Sequence, residues 1–397
     1  MSLKMAIPPG SREPLPAETP LLVIGGGIMG LATAYNAAKL GLRDIVVVDR
    51  SFLCSGASGR NGGGVRMQWS SPNDVELMQR SIDICKHFAS EMGVNVWFRQ
   101  GGYLFLVKNP ALIPALEANV RMQNECGVRT RMVSPSEAAE IVPGLNVSGV
   151  HVGSYNPDDG VLFPWPFIWG YAHKALELGV RVYSFVDVVG FEKHKGGRIH
   201  TVHTTRGAIR VGHVVNATGA WSPELSAKVG VSIPNRPYRH EILTTEPLKP
   251  FLTPMVTVLG EGIYFSQSMR GEIVGGMGDP NEPQGDHSTS SLGFLRRFAE
   301  SATSLIPALG NVQVVRQWAG LYDVSPDGKP ILGEPAAVPN MTLLVGFTGN
   351  GFMMAPIIGK LAAERIVHGT KVPYFDDYNP DRFEHGIPEN KETMIIG

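Results

Sequence analysis

Gly25, Gly27 and Gly30 stand in G-x-G-x-x-G spacing directly after an apolar run, Leu21-Leu22-Val23-Ile24. The chemistry of that spacing is the close approach of a backbone to a pyrophosphate. The first glycine permits the tight turn, the second lets the phosphates in, and the third lets the following helix pack on the strand. The spacing predicts a helix over 28–40, opening at Ile28 and Met29, with its positive end at the phosphates and Gly41 as C-cap. A second apolar run, 45–48, ends in Asp49, nineteen residues past Gly30, where a carboxylate can accept hydrogen bonds from an adenosine ribose. A lone match means little in a chain with 47 glycines. Here strand, glycines, helix, strand and acid follow in order, and the stretch reads as a dinucleotide site. It does not choose between FAD and NAD.

Residues 50–66, RSFLCSGASGRNGGGVR, hold too many glycines and small polar side chains for a regular element and read as a loop wrapping the cofactor. That places Arg50, Ser58, Gly59, Arg60, Asn61, Gly62 and Gly63 among the cofactor contacts. Downstream, the apolar strand at 213–217 ends in small residues suited to passing under a bound cofactor, which adds Ala217, Thr218, Gly219 and Trp221. His240, in PYRHE, is a candidate for orienting a substrate, and Tyr264 faces the same cavity if period-two alternation holds from Ile263. Arg239 and Tyr322 have similar standing.

The elements that must position these residues follow from pattern. Residues 71–88 read as an amphipathic helix with Asn73 or Asp74 as cap. Residues 97–107 read as a strand pair about Gly101-Gly102, and 110–140 as helical. A helix over 164–178 precedes short strands at 180–186, 188–194, 198–205 and 208–211. Strand-like pieces at 240–245, 262–267 and 272–277, then a helix over 290–305, suggest a second domain carrying the substrate wall. A strand at 341–347 leads to a helix reaching 367, with Pro356 in its first turn.

With 397 residues, two domains are expected; 43% hydrophobic and 18% charged residues describe an ordinary globular protein. A net charge of -1 gives no reason to expect nucleic acid or an anionic membrane as partner, and no eighteen-residue apolar run predicts a spanning helix. Cys54, Cys85 and Cys126 form neither a disulfide framework nor a zinc motif, so a reducing, cytoplasmic setting and no metal are expected. Residues 1–19, rich in proline, read as a flexible leader, and 376–397 as a polar tail along the surface.

Four motifs in order, the glycine fingerprint, VVNATGAWS at 214–222, SPDGKPILG at 325–333 and GFTGNGFMMAP at 346–356, resemble the FAD-dependent D-amino-acid oxidase and sarcosine oxidase (DAO) family. Within it, GRNGGGVR at 59–66 and GNGFMMAP at 349–356 are most similar to the beta subunits of heterotetrameric sarcosine oxidase and of dye-linked L-proline dehydrogenases. The resemblance implies an α/β, two-domain flavoprotein: a Rossmann-like FAD-binding domain from 20–95, 149–222 and 318–375, and a discontinuous substrate domain on an antiparallel sheet from 96–148 and 223–317. It implies FAD at the glycine fingerprint, and Gly349, Asn350, Gly351, Phe352 and Met353 against the isoalloxazine. It also places Arg66 at the flavin face, where a guanidinium can grip a carboxylate.

The sequence departs from the family's monomeric oxidases. Gly320-Leu321 precede Tyr322 where those enzymes attach FAD through cysteine, and 50–66 contain no histidine, so FAD is expected to be non-covalent. Met353 replaces their substrate-binding lysine, which favours a dehydrogenase. The expected reaction is oxidation of the C–N bond of a small amino acid, a secondary amine such as sarcosine or proline, by hydride transfer to flavin N5, with Arg66, His240, Tyr264 and Met353 about the substrate. The alternatives are a D-amino-acid dehydrogenase or oxidase, a glycine oxidase, and a flavin-binding scaffold without turnover. Partner subunits or a homo-oligomer remain open.

Overall fold

The structure, a computed structural model, describes residues 13–384 and 386–395. Most of the expected leader lies outside the described residues; Glu18 and Thr19 belong to the first strand, Glu18–Ile24. The described chain forms two compact units. One comprises 13–59, 168–237, 323–384 and 386–391; the other comprises 60–167, 238–322 and 392–395.

The first unit is built on an eight-stranded sheet. Its main path in space is Ile331–Gly333, Met341–Val345, Gly207–Asn216, Glu18–Ile24, Val46–Asp49 and Arg181–Ser184, with Ile199–Thr204 and Val188–Lys193 attached in turn to Gly207–Asn216. Glu18–Ile24 pairs in parallel with Val46–Asp49 on one side and Gly207–Asn216 on the other. Leu21, Leu22, Val23, Val46, Val47 and Val48 are completely buried, as continuous apolar strands in a parallel sheet covered on both faces must be. The helices Ile28–Lys39 and Gly351–His368 pack tightly together: a Cβ on Gly359 would stand 2.7 Å from that of Ala32.

Two local expectations are corrected here. Gly207–Asn216 is one strand, its ladder to the first strand continuing past Gly212, where a Cβ would meet the Pro20 carbonyl at 2.8 Å. Pro356 lies inside its helix, which opens at Gly351.

The second unit carries the other eight-stranded sheet, ordered Val314–Val324, Arg236–Pro247, Glu272–Met277, Ile263–Gln267, Met255–Val258, Tyr103–Val107, Val152–Asn156, Arg131–Val133. Glu272–Met277 is antiparallel to both of its neighbours, while Met255–Val258 runs parallel to Tyr103–Val107. The expected hairpin at 97–107 does not form. Only Tyr103–Val107 is a strand, and it pairs with Val152–Asn156; Gly102, at φ +87°, turns the chain where any Cβ would strike the Tyr155 ring. The helical stretch expected over 110–140 is split into Ile113–Glu125 and Pro135–Ile141 by the strand Arg131–Val133. The helix Pro72–Met92 is capped by Ser71, whose Oγ accepts the Asp74 N–H, rather than by Asn73 or Asp74.

Residues 60–95 and 149–167 also lie with this second unit, where the sequence places them with the cofactor domain. The reason is pairing: Gly64–Val65 is antiparallel to Gly160–Val161, and Gln123 donates to the Trp69 carbonyl at 2.7 Å. The tail is not merely superficial, since Met394 is completely buried in an apolar cluster with Tyr103, Phe105 and Leu116. Among the described residues, no helix is long and apolar enough to cross a membrane.

Candidate active site

In the first unit, the glycine turn is shaped by close approach. Gly25 has φ +110°, and a Cβ there would lie 2.4 Å from the Ala217 carbonyl oxygen; one on Gly30 would lie 2.0 Å from that of Gly25. Only glycine is compatible with either position. Gly27 is the N-cap of Ile28–Lys39 and makes no side-chain cap, while the Ile28 N–H donates to Ser58 Oγ at 3.0 Å. Met29 is buried in the first turn. Asp49 accepts the Gly26 N–H at 2.7 Å and the Ser51 N–H at 2.8 Å. Burial raises its pKa, opposed by those two bonds and by Arg50.

The Arg50 guanidinium lies 4.2 Å from the centre of the Trp221 ring, and a Cβ on Gly56 would touch that ring at 3.3 Å. Asn216 organises the second strand's end by accepting from Thr218 Oγ1 at 2.7 Å, and Gly219 takes φ +55°. The third element of the unit is the turn before Gly351–His368. Thr348, a β-branched residue, is held at φ +49°, and Gly349 at φ +83°. Such a backbone is strained for threonine and persists only where its surroundings enforce it. The Thr348 N–H is bound by the Asp323 carbonyl at 2.9 Å, while the Asp323 carboxyl accepts from Gly346 N and Asn235 Nδ2. Burial pushes that carboxyl's pKa up to about 6. Asn350 is the N-cap without a side-chain cap, so the helix start presents main-chain N–H groups; Phe352 and Met353 are buried behind it. Gly59 ends this part of the unit.

The second unit brings His240, Tyr264 and Tyr322 together. The His240 ring is stacked with Tyr322, centroids 4.3 Å apart, and with Tyr264, centroids 5.6 Å apart. His240 Nε2 is 3.1 Å from Tyr264 Oη. Tyr264 and Tyr322 are hydrogen-bonded to each other, and burial raises the pKa of both. Burial lowers the His240 pKa to about 4 and, against its Tyr264 bond, pushes Tyr322 up to about 12. The imidazole is therefore neutral at ordinary pH. Gly62 and Gly276 make room: a Cβ on Gly276 would come within 2.6 Å of Tyr264 Oη and 2.7 Å of His240 Nε2.

Tyr103 belongs to the same electrostatic group, being coupled to Arg66 and Tyr322, and its hydroxyl occupies the space a Cβ on Gly64 would need. Sequence reasoning gave no signal for Tyr103, and offered Tyr322 as a candidate beside His240 and Tyr264. Arg60 donates to the Ala319 carbonyl at 2.6 Å and Asn61 accepts the Gly63 N–H at 2.7 Å, both within this unit. Arg66 is completely buried. Its guanidinium lies 4.0 Å from the centre of the Trp69 ring and donates to the carbonyls of Gln68 and Met394. Asp159, which accepts from Met67, Gln68 and Asn156, has its pKa pushed up to about 7 by burial. Arg239 is apart from this group, in an ion pair with Glu282 at 2.8 Å. Among the described residues, no group of three or more His, Cys, Asp or Glu is arranged to hold a metal ion.

Two features of the first unit, a glycine turn that no side chain could enter and a carboxylate at the next strand's end, fit an adenine dinucleotide. The DAO family profile, described as FAD dependent oxidoreductase, matches residues 21–365. The chain is 28% identical over 385 residues to sarcosine oxidase subunit beta of Rhizobium meliloti, across 96% of this chain and 92% of that protein. It is similar to the crystal structure of L-proline dehydrogenase from P. horikoshii, with a TM-score of 0.88 and 37% identity over 93% of this chain and 99% of that one. Glycine oxidase from Geobacillus kaustophilus shares the fold, with a TM-score of 0.84 at 23% identity over 92% and 99% of the two chains.

Proposed function

The chain belongs to the DAO family of FAD-dependent oxidoreductases, and from that premise we propose that it is a dehydrogenase of a small secondary amino acid, such as proline or sarcosine, using non-covalently bound FAD. The first unit is the FAD-binding part and the second supplies the substrate wall. The observation that carries the reading is the second unit's enclosed group of one arginine, three tyrosines and a neutral histidine. That set suits a substrate with one carboxylate and an uncharged amine.

When bound, FAD accepts the hydride equivalent from the substrate's C–N carbon. Gly25, Gly27 and Gly30 admit the pyrophosphate to the backbone, and Asp49 takes the ribose hydroxyls. The main-chain N–H groups at 349–351 stabilise negative charge at the helix start, worth about 0.3 to 1 kcal/mol at an exposed end and more when buried. Arg66 holds the substrate carboxylate. With its imidazole neutral, His240 orients the Tyr264 hydroxyl, which is also hydrogen-bonded to Tyr322. None of these groups is a strong base, so the amine must enter uncharged, its pKa lowered in a dry site.

Met353, where monomeric relatives carry lysine, supports electron transfer to an acceptor other than dioxygen. The free cysteines accord with a cytoplasmic setting, and the likeness to a protein named as a subunit supports partner subunits. Arg66→Ala tests the assignment: substrate affinity should fall sharply while flavin content is kept. A variant with wild-type substrate kinetics would remove Arg66 as the clamp, and a flavin that no amino acid reduces would return the chain to the scaffold reading.

A further inference from the structure

We propose that residues 392–394 form a strap that competes with the substrate carboxylate for Arg66, so that the site opens only when the strap leaves. The proposal rests on the assignment of Arg66 as the clamp.

The guanidinium has a side-on edge made of Nε and Nη2, the edge a carboxylate grips with both oxygens. In this structure Nη2 donates to the Met394 carbonyl at 2.7 Å, and Nε, fully buried, has no acceptor. The edge is thus half used by a neutral oxygen. A carboxylate would satisfy both N–H groups with charge-assisted bonds, and a single carbonyl cannot match that.

The strap is held by a short run of groups beside Arg66. The Ser70 N–H donates to the Glu392 carboxylate at 3.2 Å, and the Thr393 N–H donates to Ser70 Oγ at 3.0 Å. Met394 is fully buried against Tyr103. No ion pair joins Glu392 to Arg66 among the described residues, although the two carry an electrostatic interaction. The strap is thus fastened by hydrogen bonds, by the burial of one side chain and by the attraction between Glu392 and Arg66, and a bound carboxylate would replace that attraction at the guanidinium. The closed strap also explains why a candidate clamp is wholly inaccessible. Substrate binding then carries the cost of opening, and apparent affinity is lowered by the fraction of molecules that are open.

The test uses the purified flavin-loaded protein and acetate, a carboxylate that cannot be oxidised. Acetate binding is read from the flavin difference spectrum, and hydrogen exchange is followed in 386–395 with and without saturating acetate. Acetate should release the protected amides of 393 and 394, and a chain ending at Lys391 should bind acetate about tenfold more tightly. Unchanged protection at saturation would overturn the strap, and this readout stands even if the shortened chain fails to fold. Acetate binding that is the same in Arg66→Gln as in wild type would instead remove the clamp assignment, and the strap with it. Binding that depends on Arg66 but leaves the tail protected would remove the strap alone.

Discussion

Replacing Gly30 by alanine probes the cofactor turn at its tightest point. The new Cβ would stand 2.0 Å from the Gly25 carbonyl oxygen and 3.0 Å from Val23 Cγ1. Real Cβ contacts do not fall below 3.0 Å, so helix and turn must separate by at least 1.0 Å, the difference of the two distances. The helix Ile28–Lys39 cannot simply recede, because Gly359 of the helix Gly351–His368 is already pressed against Ala32. Overpacking of this kind costs about 1 to 3 kcal/mol. Alanine returns up to about 1 kcal/mol through helix propensity. With the full propensity gain subtracted, the net loss of about 0 to 2 kcal/mol should lower Tm by at most a few degrees. The larger effect expected is on the cofactor, since the displaced turn is the one proposed to meet the pyrophosphate: flavin affinity should fall by at least about tenfold.

The assay is the ratio of flavin to protein absorbance after desalting, with thermal unfolding beside it. Gly41→Ala is the control. Gly41 has φ +98° with nothing within 4 Å, so the change there costs about 1 to 2 kcal/mol of backbone strain and no flavin. If Gly30→Ala kept full flavin and an unchanged Tm, the argument from close approach would be refuted.

Three further outcomes are expected. Arg382 forms a largely buried pair at 2.9 Å with Asp327 of the SPDGKPILG motif; Arg382→Ala should destabilise the protein by about 3 to 5 kcal/mol in denaturant unfolding, because it strands a buried carboxylate. His240 has its pKa lowered from 6.5 to about 4 by burial. Its contribution to stability is thus present above pH 6.5 and lost as pH falls through about 4, and the pH profile of flavin reduction should show no inflection between pH 5 and 7 that disappears in His240→Gln. Cys54 and Cys85 are buried with their pKa values raised by desolvation. A thiol reagent should modify Cys126 in the native protein and reach the other two only after denaturation; rapid native reaction of all three would count against the packing described.

The cofactor turn was legible because backbone geometry there dictates residue type: Gly25 at positive φ and Gly30 against a carbonyl leave no choice. The strands on either side of it followed from unbroken apolar runs. What sequence could not supply was partnership at a distance. Period-two alternation gives Tyr264 a face, but not the fact that Tyr103 and Tyr322 arrive from other strands of the sheet. The hairpin at 97–107 failed because Gly102 turns the chain toward Val152–Asn156, an antiparallel partner some fifty residues on rather than one reached by a local turn. The tail, read as polar from its composition, contains one residue, Met394, whose burial depends entirely on the cavity that receives it.

The most direct measurement is the visible flavin spectrum of the purified protein before and after anaerobic addition of L-proline, sarcosine and D-alanine in turn. The account predicts a flavin band that L-proline or sarcosine bleaches. A band that D-alanine alone bleaches, or that none of the three alters, would contradict the proposed substrate class; a protein without a flavin band would contradict the cofactor assignment itself.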